Sequence, residues 1–167
     1  MADFAGDADI PFSGKNGANP AVVEVTLSLD TSAYASGDVL ADTQVVTAAL
    51  SIKNGKGVLQ SVLLIDEDDQ GAALDLYFLS ADVVMGTENA APSITDANAR
   101  SILAVVPVAT TDYKDLGGVR VANLAGLNRV LKAVAGTPDI YVAAVNGSGS
   151  PTYTASGLRL RLGILQD

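Results

Sequence analysis

Val23-Glu24-Val25-Thr26-Leu27-Ser28-Leu29-Asp30 alternates apolar and polar side chains without a break. A period of two puts all four apolar residues on one face of an extended chain, as in a half-buried antiparallel strand. Leu158-Arg159-Leu160-Arg161-Leu162-Gly163-Ile164 repeats the pattern near the other end. Further short apolar segments lie between them, at residues 44–52, 57–65, 73–80, 102–109, 119–124, 129–134 and 140–145. Turn-forming residues separate them: Asn54-Gly55-Lys56-Gly57, Asp68-Asp69-Gln70-Gly71, Gly117-Gly118, and the stretches 136–139 and 146–151. About nine short strands with regular breaks predict an all-β domain, an antiparallel β-sandwich or jelly-roll-like fold. Val23, Val25, Leu27, Leu29, Leu74, Leu76, Phe78, Leu160, Leu162 and Ile164 are the expected core.

One segment has a different rhythm. Thr95 or Asp96 can cap a helix built on Ala97, Asn98, Ala99 and Arg100, and the spacing predicts about two turns reaching Ile102 or Leu103. Residues 1–20 differ again. They hold Pro11, Gly14, Gly17 and Pro20, and their large apolar side chains, Phe4, Ile10 and Phe12, stand apart. This reads as an extended N-terminal arm ahead of a β-sandwich domain at residues 21–167. Its two Phe are expected to anchor on a partner, because a free tail gains nothing from exposing them.

Composition excludes more than it selects. The 167 residues include no Cys, no His and no Trp. Disulfides, thiolate nucleophiles and a Ser-His-Asp triad are therefore absent, and the common transition-metal sites lose their two best ligands. The formal net charge is −9, from 10 Lys and Arg against 19 Asp and Glu. Nucleic acid and anionic membrane both need a basic footprint, so neither is an expected partner. The opening residues, MADFAGDADI, carry three Asp and no basic residue, unlike a signal peptide.

Three local patterns invite chemistry. Asp66-Glu67-Asp68-Asp69 is the densest charge cluster. Set on an EF-hand loop, Asp66, Asp68, Gln70 and Gly71 take positions one, three, five and six, but Tyr77 stands where a bidentate Glu is needed. A solvated hairpin turn is the expectation. Paired carboxylates can hydrolyse glycosides without His, but only two other Glu are present, Glu24 and Glu88, and no Trp to hold a sugar. Lys53-Asn54-Gly55-Lys56-Gly57 lacks the spacing of a phosphate loop. It reads as a tight turn whose two Lys form a positive spot on an acidic protein. No catalytic residue, cofactor or metal is expected. Phe4, Ile10, Phe12, Lys53 and Lys56 are the candidate partner contacts.

Ala33-Tyr34-Ala35-Ser36-Gly37-Asp38-Val39-Leu40, then Gly57-Val58-Leu59-Gln60-Ser61-Val62, then Ala72-Ala73-Leu74-Asp75-Leu76-Tyr77-Phe78-Leu79 occur in that order. Pro151-Thr152-Tyr153 and the closing run from Leu158 to Gln166 follow them. Together they resemble the small virion structural proteins of tailed bacteriophages, of the capsid decoration or cement type. The resemblance covers residues 30–166 and consists of packing and turn motifs. It implies a non-enzymatic role on the outer capsid surface, made in the host cytoplasm, with the major capsid protein and copies of itself, as a homotrimer, for partners. A tail, neck or fibre-base component and a ligand-binding β-sandwich module remain the alternative readings.

Overall fold

The computed structural model describes residues 19–167, and all nine strands in it are antiparallel to their neighbours. The strands are β1 (Asn19–Thr26), β2 (Val39–Val46), β3 (Lys56–Asp66), β4 (Leu74–Leu79), β5 (Ile102–Val108), β6 (Tyr113–Asp115), β7 (Arg120–Lys132), β8 (Ile140–Asn146) and β9 (Leu158–Gln166). They form two sheets, ordered β1-β9-β3-β7-β6 and β2-β8-β4-β5. With the three-residue β6 set aside, that is the strand order of an eight-stranded jelly roll. The expected β-sandwich is the fold.

The chain changes sheet between β1 and β2, β2 and β3, β3 and β4, β5 and β6, β7 and β8, and β8 and β9. One expectation fails for that reason. The acidic segment after β3 is not a hairpin turn but carries the chain across to the other sheet. The tight turn expected at residues 53–57 is present, with the Gly55 N–H donating to the Ile52 carbonyl at 3.0 Å, and it too connects strands of different sheets. Turn residues fix where a strand ends, but not which strand it pairs with.

Boundaries shift as well. The segment expected at 44–52 is displaced: the strand is Val39–Val46, and a turn follows. The segments expected at 119–124 and 129–134 are one strand, β7. Gly126 (φ 71°) and Asn128 (φ 51°) take left-handed backbone at a bulge, where three β7 residues face Gln60 alone. Sequence reading took that Gly and Asn for a break. The helix is one turn, α1 (Asp96–Ala99), not two. Thr95 caps it as expected, accepting from the Asn98 N–H at 3.2 Å, but Ile102 pairs opposite Leu79 as the start of β5.

Leu27, Leu29, Leu74, Leu76, Phe78, Leu160, Leu162 and Ile164 are buried between the sheets as expected. Val23 and Val25 only pack against that core, because β1 lies at an edge of the larger sheet. Asn19 and Pro20, placed in the arm by sequence, are paired with Gln166 and Leu165 in β1.

Candidate functional site

The acidic loop is the first place to look for chemistry, and its four carboxylates point four ways. Asp66 is fully buried at the end of β3 and accepts from the backbone N–H groups of Asp68 (3.1 Å) and Gly71 (2.7 Å). Burial pushes its pKa up, against those hydrogen bonds. Glu67 pairs with Arg159 at 2.6 Å. Asp68 accepts from the Thr154 N–H (2.7 Å) and hydroxyl (3.0 Å). Asp69 pairs with Arg120 at 2.7 Å. These groups tie three connections together at one end of the sandwich. Among the described residues no three metal-binding side chains converge. The EF-hand alignment therefore corresponds to no cage of ligands.

Three tyrosines plug the same end. The Tyr34 and Tyr153 rings lie 6.3 Å apart, and Tyr34 donates to the carbonyls of Asp30 (3.1 Å) and Leu40 (3.0 Å). Tyr113 donates to the Ala72 carbonyl at 2.9 Å. Burial raises all three hydroxyls, that of Tyr34 to about 12.

The outer faces of the two sheets differ more usefully. An antiparallel sheet packed on one side normally shows polar residues on the other. The outer face of the smaller sheet is not polar, and the chain covers its middle itself, leaving Val45 and Val105 partly exposed. The connection from β4 to β5 places Met85, Val83 and Ile94 against Leu79, Ala143 and Val145 in a second apolar cluster.

The outer face of the larger sheet has no such cover among the described residues. Register aligns Pro20 of β1, Leu165 of β9, Val58 of β3 and Val130 of β7 in one row across four strands. Val130 is 65% exposed, and Val22, in the next row beside Gly163, is 73% exposed. Lys56 and Lys132 stand opposite each other and close the row on one side. On the other side come the ion pairs Arg161–Glu24 (2.5 Å) and Arg159–Glu67. A shallow depression of about 360 Å³ follows the row, lined by Lys56, Val58, Val130, Leu165 and Asp167. An apolar stripe with a charged margin is the usual character of a docking surface.

Of the contacts expected from sequence, the structure places Lys56 at this margin and Lys53 in the exposed turn ahead of β3. The Lys56 N–H donates to the Asp167 carboxylate at 2.8 Å. Phe4, Ile10 and Phe12 lie outside the described residues. Val22, Val58, Val130, Leu165 and Lys132 were missed. A signal was present: β3 carries apolar residues on both faces, with Val58, Leu63 and Ile65 half-buried on the outer one.

No family model and no curated protein matches this chain. Among solved structures, a chain of Desmodium yellow mottle tymovirus is similar at 12% identity, over 87% of this chain and 85% of that one, with a TM-score of 0.30. A superposition that loose carries no inference about function.

Proposed function

We propose that this chain is a non-catalytic structural protein of a tailed-phage virion, a decoration or cement subunit that binds the major capsid protein on the outside of the head. The uncovered apolar row across the larger sheet is the observation that carries the reading. A face of this kind is stable in water only at a cost, and covering it on a neighbouring protein recovers about 25 cal/mol for each Å² buried. The net charge of −9 supports an outer position, since packaged DNA repels it. The four acids of the loop and the hydroxyls of Tyr34 and Tyr113 are committed to internal partners, which leaves binding as the work of the surface. The resemblance to phage virion proteins supplies the setting.

Quantitative mass spectrometry of purified virions tests this. Several hundred copies per particle are expected; a few copies would move the protein to the tail or neck, and absence would end the proposal. Add-back to particles lacking the protein tests the face. Val130→Asp should lower occupancy more than about tenfold, the effect of losing roughly 1.4 kcal/mol of binding. Val84→Asp, on the connection that covers the other sheet, should leave occupancy unchanged.

A further inference from the structure

We propose that β1 is a self-pairing edge. Two copies of the chain join by antiparallel hydrogen bonding of their β1 strands, so that the larger sheet continues across a twofold axis. The proposal rests on a comparison of the sheet edges. A free edge strand offers unpaired N–H and C=O groups to any other strand, and proteins normally blunt it.

Among the described residues, every edge but one is interrupted along its length or cut short. β2 breaks register twice against β8, and the Gln44 side chain on it is clasped by the Ser28 backbone, at 2.9 and 3.0 Å. β5 carries Pro107, which has no N–H, and breaks register next to Leu79. β6 is three residues long, and the part of β7 beyond it is bent by the bulge at Gly126 and Asn128. β1 is different. It pairs with β9 over eight consecutive residues without a break, and its one proline, Pro20, stands next to its start, which leaves residues 21–26 uninterrupted.

The direction of its free groups follows from the ladder. The Leu27 N–H donates to the Leu158 carbonyl at 2.9 Å. Antiparallel pairing alternates, so the odd-numbered residues of β1 bond to β9. The N–H groups of Val22, Glu24 and Thr26 point off the sheet. The edge carries no Lys, and its one charge, Glu24, is already paired with Arg161. Val22 is 73% exposed and stands near the middle of the strand.

A second β1 is the strand that fits. Antiparallel pairing about a twofold is self-complementary, and a register that sets Val22 opposite its own symmetry mate puts each Glu24 opposite Pro20 rather than opposite the other Glu24. The axis runs perpendicular to the sheet, so both apolar outer faces look the same way and merge into one surface. A twofold pair replaces the trimer that the resemblance implies. The pairing stands whether or not the merged face binds a shell.

Sedimentation equilibrium of the full chain near 100 µM is expected to give twice the chain mass. Hydrogen exchange read by NMR should show the Val22 and Glu24 amides slowed at least tenfold between dilute and concentrated samples. Val22→Lys, which sets two cations beside the axis, should give a monomer with the melting temperature of dilute wild type. Val130→Lys, on the same face but three strands away, should remain dimeric. A wild-type monomer at that concentration overturns the proposal. So does an oligomer that survives Val22→Lys, or one whose Val22 and Glu24 amides still exchange fast. An oligomer lost on deleting residues 1–18, but kept by Val22→Lys, would assign self-association to that segment instead. If Val22→Lys fails to fold, exchange at the wild-type amides decides.

Discussion

Leu76 is fully buried between the sheets, so its truncation removes both transfer energy and packing. Leu76→Ala should cost about 2–5 kcal/mol, read from the denaturation midpoint. Tyr113→Phe should cost about 1–3 kcal/mol, because it strands the Ala72 carbonyl that the hydroxyl serves. Asp66 has a pH signature of its own. Burial raises its folded pKa above the ordinary aspartate value, so between the unfolded and folded values the folded state binds more protons. The Asp66 contribution is therefore most favourable below the unfolded value and is lost as pH rises through the folded one. Stability profiles of wild type and Asp66→Asn measured across the carboxylate range should differ by a component that falls with rising pH.

At the level of elements, the β7 bulge shows how a residue type sets a local geometry that looks like an interruption in the sequence. Gly126 supplies left-handed backbone, and Asn128, the second such residue, accepts from the Gln60 amide at 3.0 Å. Gly126→Val forces a β-branched residue into that region. It should lower stability by about 1–2 kcal/mol, seen in thermal unfolding. Sequence reading handled the small helix the other way round. Its cap, Thr95, was legible because capping is a contact three residues long. Its length was not, because Ile102 is claimed by Leu79 across the sheet. A hydrogen bond to another strand outweighs the weak helix propensity of a few small residues.

The whole molecule is built from long-range pairings. Only β4–β5 and β6–β7 are sequence neighbours that also pair. Loop closure must come before most contacts form, so folding should be slow for the chain length, on the order of milliseconds to seconds in stopped-flow fluorescence of the tyrosines. Truncation is best placed from the same map. Deleting residues 1–18 should leave the melting temperature close to wild type. Deleting residues 1–20 also removes the pairing of Asn19 and Pro20 with Gln166 and Leu165, and should lower it by a few degrees.

The amino-acid sequence determined the class of fold and most of the strands, because alternation along a strand is a local consequence of one face being buried. It determined the core positions on β4 and β9 for the same reason, and it excluded imidazole and thiol chemistry through residues that are simply absent. Tertiary structure decided which strands share a sheet, since turn chemistry carries no record of a partner a hundred residues away. It dispersed the four acids 66–69 among Arg159, Thr154, Arg120 and a buried backbone turn. It also assembled the apolar row from Pro20, Val58, Val130 and Leu165, four residues on four strands that become neighbours only through register. Each is an ordinary strand residue when read alone, and the face exists only because the connection that covers the other sheet has no counterpart here among the described residues.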